Sequence, residues 1–271
     1  MKIFKNKLIL QKEISKDNCL SFVPTMGGLH KGHLSLIKKA KRYKCKICVS
    51  IFVNPTQFNK RNDFKNYPRS LKSDIKELKK LKVNYLYLPT YADIYSFKTK
   101  RKIYIDKFSK QLCGKYRKGH FKGVLNVVNR FLEIINPKYI FLGNKDLQQL
   151  ILIDSHIKKN NINTKVIKCK TIREKNGVAC STRNLNLNNR ELTMASNIYK
   201  YLLKLNKRIK KNYKLFKINV IRKDLISLGA TKIDYIENLN IKYFGDNRKL
   251  KNKFKLFFAY YINEIRLIDN I

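Results

Sequence analysis

The chain has 271 residues and a mass of 32.1 kDa, enough to bury one large domain or one domain with a smaller appendage. Apolar residues make up 44% of it, which excludes disorder as the default state. No run of about 20 apolar residues occurs, so no membrane span is predicted. The N-terminus lacks the unbroken apolar segment of a secretory signal. We therefore expect a cytoplasmic protein with no membrane partner.

The charge balance is unusual, with 61 Lys and Arg residues against 18 Asp and Glu, a formal net charge of +43 and a pI of about 10.1. One interpretation is a protein that binds nucleic acid through its basic surface. The other is compositional bias, because Trp is absent, Gly and Pro number only 10 and 5, and the cations are spread over several helices. The second interpretation is favoured, so no specific nucleic-acid partner is expected, although non-specific adhesion follows from the charge.

Six cysteines are present, and Cys45 and Cys48 have the CxxC spacing of some metal sites. Both lie in a run that reads as a buried strand, and a zinc site would need a second ligand pair at a fitting distance. We therefore expect core thiols in a reducing compartment rather than metal ligands or disulfides.

Short apolar strands and amphipathic helices alternate through the first part of the chain. In chain order the predicted elements are strand Leu20–Pro24, helix His33–Tyr43, strand Cys45–Val53, helix Ser70–Leu81, strand Val83–Pro89, helix Val124–Ile135, strand Tyr139–Leu142, helix Asp146–Lys159 and strand Thr164–Ile172. This order predicts an α/β protein with a Rossmann-like parallel sheet covered by helices on both faces. Ligands are then expected at the carboxyl ends of the strands.

The pattern changes after about Arg173, where an Asn-rich stretch precedes two predicted helices and two predicted strands. These elements are helix Glu191–Lys211, helix Leu215–Leu228, strand Ile233–Phe244 and strand Phe254–Leu267. They predict a smaller C-terminal α+β domain, so we divide the chain into domains 1–172 and 173–271, with a hinge within 172–184.

The strongest local motif, Pro24–His33, connects the first predicted strand to the first predicted helix. Gly27 and Gly28 allow a tight turn and a close approach of the backbone to a ligand. His30 and His33 lie at the helix start, where free N–H groups and the helix dipole favour phosphate. A pair of surface histidines or a partial metal pair is the alternative, but the glycines and the strand-to-helix setting favour phosphate chemistry.

This His-x-Gly-His arrangement resembles the signature of the nucleotidylyltransferase superfamily, and further segments in the same order resemble the pantothenate synthetase family. Those segments are Ser50–Phe58, Tyr67–Arg69, Arg117–Val124, Gly143–Leu150, Ser181–Asn184 and Arg266–Asn270. The resemblance runs from residue 20 to residue 270. It implies that ATP activates pantoate as pantoyl adenylate, and that the amine of β-alanine then forms the amide and releases AMP.

The resemblance also implies roles for individual residues. His33, His30, Lys145 and Arg183 are the expected catalytic residues, with His33 in the acid role. The expected ATP-binding residues are Met26, Gly27, Gly28, Leu29, His30, Lys31, Gly32, His33, Gly143, Asn144, Lys145, Asp146, Ile172, Cys180, Ser181, Thr182 and Arg183. Domain 1–172 would bind ATP and pantoate, and domain 173–271 would act as a lid.

Gln57, Gln149 and Asn54 are the expected ligands of pantoate or β-alanine, since a primary amide both donates and accepts hydrogen bonds. ATP chemistry needs Mg²⁺, and the resemblance suggests Asp74 as a contributing ligand. It further implies a homodimer.

Some residues depart from the family pattern, and two other functions stay open. Asn144 stands in place of a usual Glu, Thr182 in place of a second Ser, and Lys118 in place of a Pro. The first alternative is another nucleotidyltransferase of the same superfamily, which would share the histidine loop without the glutamine pocket. The second is a basic nucleic-acid-binding protein.

Overall fold

Alternating strands and helices occupy the first part of the chain, as seen in a computed structural model that describes residues 1–59, 61–244 and 253–271. The chain separates into two units, Met1–Lys170 and Thr171–Ile271. The strands of the first unit are β1 (Lys2–Phe4), β2 (Leu20–Thr25), β3 (Lys46–Ile51), β4 (Tyr85–Tyr87), β5 (Tyr139–Gly143) and β6 (Lys165–Cys169). Its helices are α1 (Lys7–Ile14), α2 (Lys31–Ala40), α3 (Arg61–Lys65), α4 (Leu71–Lys80), α5 (Tyr91–Tyr95), α6 (Cys113–Tyr116), α7 (His120–Ile135) and α8 (Leu147–Lys159).

The six strands form one parallel sheet in the order β1-β4-β3-β2-β5-β6. Side chains alternate across a strand, so Phe22 and Val23 of β2 face opposite sides of it. Val23 packs with Ile37 of α2 and Leu78 of α4, while the ring of Phe22 lies 5.4 Å from that of Phe131 of α7. Helices therefore cover both faces, and the predicted fold class is confirmed.

The second unit contains helices α9 (Asn189–Lys211) and α10 (Ile218–Ser227) and strands β7 (Lys232–Asn240), β8 (Phe254–Ile262) and β9 (Ile265–Asn270). The strands form an antiparallel sheet in the order β7-β8-β9. Ile198 and Leu202 of α9 and Leu225 of α10 are buried against Phe258 and Tyr260 of β8. This is the smaller α+β unit that the sequence pattern predicts.

Two local predictions need correction. The single strand predicted over Phe254–Leu267 is two strands, because the chain turns at Asn263, whose φ is +50°. Helix α7 begins at His120 rather than Val124, preceded by Gly119 with a φ of +80°. The boundary between the units falls after Lys170, two residues before the predicted one.

The prediction that the cysteines are free thiols is partly wrong. Cys19 and Cys45 form a disulfide, with their Cα atoms 5.0 Å apart. They precede β2 and β3, and the parallel pairing of Leu20 with Lys46 brings the amino ends of these strands side by side. Among the described residues the other cysteines are buried and form no disulfide: Cys48, Cys113, Cys169 and Cys180.

Candidate active site

The candidate site lies at the carboxyl edge of the parallel sheet, where β2 and β5 are neighbours. The chain moves from β2 to β3 and β4 on one side, and then places β5 and β6 on the other. In such sheets the point where the strand order reverses leaves a crevice outside the carboxyl ends of the strands. The loop after β2 carries the two histidines, and the segment after β5 carries Lys145, so the topology directs both to this crevice.

The loop between β2 and α2 is shaped by backbone conformation and by buried partners. Gly27 and Gly28 have φ values of +81° and +61°, a backbone conformation that residues other than glycine rarely adopt. The hydroxyl of Thr25 accepts a hydrogen bond from the N–H of Gly27 and donates one to the carbonyl of Ser50 on β3. These contacts hold a turn that leads directly into the first residues of α2.

Helix α2 begins with an unusual capping box in which both capping side chains are imidazoles. Nδ1 of His30 accepts the N–H of Gly32 at 3.1 Å, and Nδ1 of His33 accepts the N–H of His30 at 3.4 Å. A neutral imidazole that accepts at Nδ1 carries its proton on Nε2. With ring centroids 4.0 Å apart, the two side chains therefore form a pair of Nε2–H donors at a helix N-terminus.

The electrostatic surroundings keep His33 uncharged. Burial lowers the pKa of His33 to about 3, and the positive charges of His30 and Lys145 add to this effect. At neutral pH the ring is therefore a neutral hydrogen-bond donor in the protein without ligand. A bound triphosphate would bring negative charge and raise this pKa, so an acid role for His33 depends on the nucleotide.

Lys145 and Asp146 lie between β5 and α8, in the short 3₁₀ turn that follows Gly143 and opens with Asn144. The Lys145 side chain is 18% exposed, and its Nζ lies 3.5 Å from Oδ1 of Asp146, whose side chain is 46% exposed. The ammonium group is thus largely enclosed near His33, whereas the carboxylate reaches solvent. This arrangement suits a cation for phosphate and an acceptor for hydroxyl groups.

Gln57 ends the 3₁₀ turn Pro55–Gln57 that follows β3. Its side-chain amide contacts Sδ of Met26 in the histidine loop at 2.6 Å. Its backbone carbonyl accepts hydrogen bonds from Arg117 at 3.1 Å and from Nδ1–H of His120 at 2.7 Å. The turn and the loop that were predicted to bind different substrates are therefore adjacent.

The side chain of Asn54, a predicted ligand of pantoate or β-alanine, makes its contacts inside the protein. Its side chain is 1% exposed, and Oδ1 accepts hydrogen bonds from Thr56 and from the hydroxyl of Tyr95. Its Nδ2 donates to the carbonyl of Gly123 in α7. With its polar atoms used inside the protein, Asn54 supports the Gln57 turn in this structure and does not present a side chain to a substrate.

The two adjacent glutamines of α8 have separate environments. Gln148 is 5% exposed, accepts the N–H of Cys113 and donates to the carbonyls of Phe108 and Gln111. Gln149 is half-buried, and its amide forms no hydrogen bond with any residue that the structure describes. Of the pair, Gln149 is the one with an amide available to a ligand, and its role in binding pantoate stays a prediction.

The predicted residues of the C-terminal unit lie in one short segment of that unit. The N–H of Cys180 donates to the carbonyl of Ile172 at 2.9 Å, which closes a hairpin. Ser181 then caps the 3₁₀ turn Thr182–Asn186 by accepting the N–H of Arg183. Thr182 is buried, while Ser181 and Arg183 are partly exposed.

Asp74 does not have the geometry expected of a metal ligand. It is 2% exposed, and its two carboxylate oxygens accept the backbone N–H groups of Gly28 and Leu29. Within residues 1–59, 61–244 and 253–271 there is no cluster of three His, Cys, Asp or Glu side chains that could hold a metal. With both oxygens engaged by the loop, Asp74 does not fit the role of a Mg²⁺ ligand.

Arg117 and His120 lie in the motif Arg117–Val124, and the resemblance alone predicts no role for either. Both reach back across 60 or more residues to the carbonyl of Gln57. The only sequence signal was their presence in the motif Arg117–Val124, because a contact over this distance along the chain has no local pattern.

Comparison with known proteins places the whole chain among amide-forming ligases. The model of the family described as pantoate-beta-alanine ligase matches residues 2–271. A pantothenate synthetase from Flavobacterium psychrophilum is 40% identical over 269 residues, covering 98% of this chain and 95% of the relative. One from Francisella tularensis subsp. novicida is 41% identical over 270 residues, covering 98% of this chain and 92% of the relative.

Solved structures give the same result. A crystal structure of pantoate-beta-alanine ligase from Francisella tularensis, complexed with beta-gamma ATP and beta-alanine, has a TM-score of 0.84 and 38% identity, covering 100% of this chain and 97% of that one. Pantothenate synthetase from Thermus thermophilus has a TM-score of 0.88 and 27% identity, covering 100% and 99%. Of the helices described, none has the length and apolar character needed to cross a membrane.

Proposed function

The chain belongs to the pantoate-beta-alanine ligase family, and from this premise we propose how its own residues carry out the ATP-dependent joining of pantoate to β-alanine. In the first step a pantoate carboxylate oxygen attacks the α-phosphorus of ATP, and pyrophosphate leaves. In the second step the amine of β-alanine attacks the acyl carbon of pantoyl adenylate, AMP leaves, and the amine loses a proton. The observation that carries the proposal is the pair of Nε2–H donors of His30 and His33 at the start of α2.

The phosphate groups of ATP would lie against the N-terminus of α2. Backbone N–H groups, the helix dipole and the two imidazole donors all favour anionic oxygen there. Lys145 adds a cation from the neighbouring strand end. Because these groups are fixed before the reaction, they stabilise the charge that develops on the leaving pyrophosphate without reorganising.

Pantoate would be positioned by Gln57 and Gln149. Gln57 follows β3 and contacts the histidine loop through Met26, and Gln149 projects from the first turns of α8 with its amide unengaged by the described residues. Each amide supplies donors and an acceptor for a substrate that has a carboxylate and two hydroxyl groups. Holding the carboxylate near the α-phosphorus would supply a large part of the rate enhancement, because the two reactants then meet in a fixed geometry.

The C-terminal unit would supply Arg183, together with Ser181 and Thr182, to the triphosphate, and Ile172 and Cys180 to the adenosine. The support is local: these residues form one hairpin and turn in which Arg183 is partly exposed. As a lid, the unit would also keep water away from the acyl adenylate, which is readily hydrolysed.

Mg²⁺ would enter as the complex of the ion with ATP. Mg²⁺ keeps much of its water and takes phosphate oxygens readily, which agrees with the lack of a three-ligand cluster among the residues that the structure describes. In that complex it would offset phosphate charge, and no step above is assigned to a protein-bound ion.

Two further parts of the proposal concern the enzyme as a whole. A cytoplasmic location agrees with its use of ATP, and a homodimer agrees with several exposed apolar side chains of the first unit, such as Leu8, Ile9 and Tyr116. Sedimentation velocity tests the dimer, since a single species near 32.1 kDa would contradict it.

The test is exchange of labelled pyrophosphate into ATP in the absence of β-alanine. We expect exchange that requires pantoate and that falls on the order of 100- to 1000-fold in His33→Ala. His33→Gln keeps an N–H donor and should lose less, and Lys38→Ala, an exposed change on the same helix, should behave like wild type. Folded wild-type protein without exchange would refute the adenylation step. Exchange that does not need pantoate would indicate a nucleotidyltransferase with another acceptor.

A further inference from the structure

We propose that Asp74 is a positioning residue for this reaction: its carboxylate holds the loop between β2 and α2 in the phosphate-binding shape, and it does not ligate Mg²⁺. The inference rests on the proposed function, because it assumes that this loop binds the phosphates of ATP. Asp74 lies in the first turn of α4, 46 residues along the chain from Gly28.

The contacts are specific to the loop. Oδ2 of Asp74 accepts the N–H of Gly28 at 2.9 Å, and Oδ1 accepts the N–H of Leu29 at 2.8 Å. Oδ1 also accepts the hydroxyl of Ser70, the residue before α4, at 3.1 Å. Two successive backbone N–H groups that point at one carboxylate require the backbone to turn there, which is the conformation that the positive φ of Gly28 provides.

The space around the carboxylate is closed. A Cβ atom added to Gly27 would lie 3.1 Å from Oδ2 of Asp74 and 3.1 Å from Cγ2 of Ile51. With Asp74 itself 2% exposed, the carboxylate forms the floor of the turn and not part of its open surface. Removing a hydrogen-bonding oxygen there leaves a buried N–H without its partner, which costs the desolvation of that group.

A metal-ligand role would need the same oxygens. Each carboxylate oxygen already receives at least one protein donor, and a Mg²⁺ ion placed beside them would face the positive ends of the N–H dipoles of Gly28 and Leu29. Carboxylates that hold Mg²⁺ usually share it with water and phosphate on an open side. Asp74 has no such side, so its effect on the reaction passes through the loop and the histidines that the loop leads into.

The test uses the intact enzyme in the pyrophosphate exchange assay, with Asp74→Asn as the variant. The amide replaces one acceptor by a donor, so one loop hydrogen bond is lost while the size of the side chain is kept. Glu77→Gln is the matched control, since it makes the same chemical change on a partly exposed position of α4, where the side chain pairs only with Lys80 in the described structure. ATP is varied at fixed free Mg²⁺, and free Mg²⁺ is then varied at saturating ATP.

We expect Asp74→Asn to raise the KM for ATP on the order of tenfold or more, from the strength of a hydrogen bond to a charged group. The Mg²⁺ concentration that gives half-maximal exchange should stay within about twofold of wild type, and Glu77→Gln should match wild type in both. A large increase in the Mg²⁺ requirement, relieved by excess Mg²⁺, would overturn the proposal in favour of a metal ligand. An unchanged KM for ATP would also overturn it. Wild-type protein without exchange would instead refute the proposed function.

A second measurement on the wild-type protein covers the case in which Asp74→Asn does not fold. Amide hydrogen exchange followed by NMR should show the N–H groups of Gly28 and Leu29 protected without any metal present. Adding Mg²⁺ without ATP should leave their resonances in place. Rapid exchange of both amides, or a shift of both with Mg²⁺ alone, would refute the positioning role.

Discussion

Replacing Gly123 by alanine should disturb the turn that carries Gln57, which we propose as a pantoate ligand. Gly123 lies in α7, against the turn that carries Gln57. A Cβ atom at this position would lie 2.3 Å from the carbonyl oxygen of Thr56 and 3.0 Å from the backbone nitrogen of Gln57. Since non-bonded atoms prefer a separation of about 3.5 Å, the backbone of the turn or the helix must move by about 1 Å.

The expected magnitude follows from that displacement. A misplacement of about 1 Å at a substrate-positioning group can cost about 100-fold in rate, so kcat/KM for pantoate should fall by about this factor. Overpacking a core position costs about 1–3 kcal/mol, so the midpoint of thermal unfolding should fall by several degrees.

The assay is pyrophosphate exchange with pantoate varied at saturating ATP, together with thermal unfolding. Lys122→Ala is the control, since it adds no atoms and changes an exposed neighbour on the same helix. Wild-type kcat/KM and wild-type stability in Gly123→Ala would show that the turn is not packed on α7 as described. A stability loss without any kinetic effect would refute the link between this contact and Gln57.

Three further predictions concern stability. Burial lowers the pKa of His156 to about 4, below the ordinary 6.5, so the unfolded chain takes up the proton first as pH falls. The free energy of unfolding should therefore decrease from pH 6.5 towards pH 4, by about 3 kcal/mol in total. When this free energy is measured by urea titration at a series of pH values, it should change less with pH in His156→Asn than in wild type. Arg173 donates two hydrogen bonds to the carboxylate of Asp269. Asp269→Ala removes this partner and should destabilise the C-terminal unit by about 3 kcal/mol. Unaltered amide exchange in β9 would contradict this prediction. The disulfide of Cys19 closes a loop of sequence separation 26, so reduction should cost about 3 kcal/mol, and Cys19→Ser should make urea unfolding insensitive to reductant.

Local patterns in the sequence predicted those features whose causes are local. The loop Pro24–His33 was placed correctly between a strand and a helix because its glycines and its histidines act on neighbouring backbone. The sheet was predictable because β-branched and apolar runs alternated with helical periodicity. The turn at Asn263 was missed because Asn263-Glu264 is not a strong turn pair, and the apolar runs on both sides read as one strand.

The supporting contacts of the site were not predictable, because they join residues far apart in the chain. Asn54 was expected to meet a substrate, yet its donors and acceptors are used by α7 and α5 and by its own turn. The disulfide partner of Cys45 likewise depends on the register of two parallel strands. The identity of a functional residue type can be read from sequence, but whether it faces a ligand or the interior is decided by the packing.

The position of β1 in the sheet has a consequence for the order of events during synthesis. β1 is made before the other described strands, but it pairs with β4, and Lys2 lies opposite Tyr85, 83 residues later. At about 5 to 20 residues per second, the first strand waits about 4 to 17 s for its partner on the ribosome. In that interval β2 and β3 can pair with each other. The strands on which the loop between β2 and α2 is anchored would therefore be in place before β1 joins the edge of the sheet.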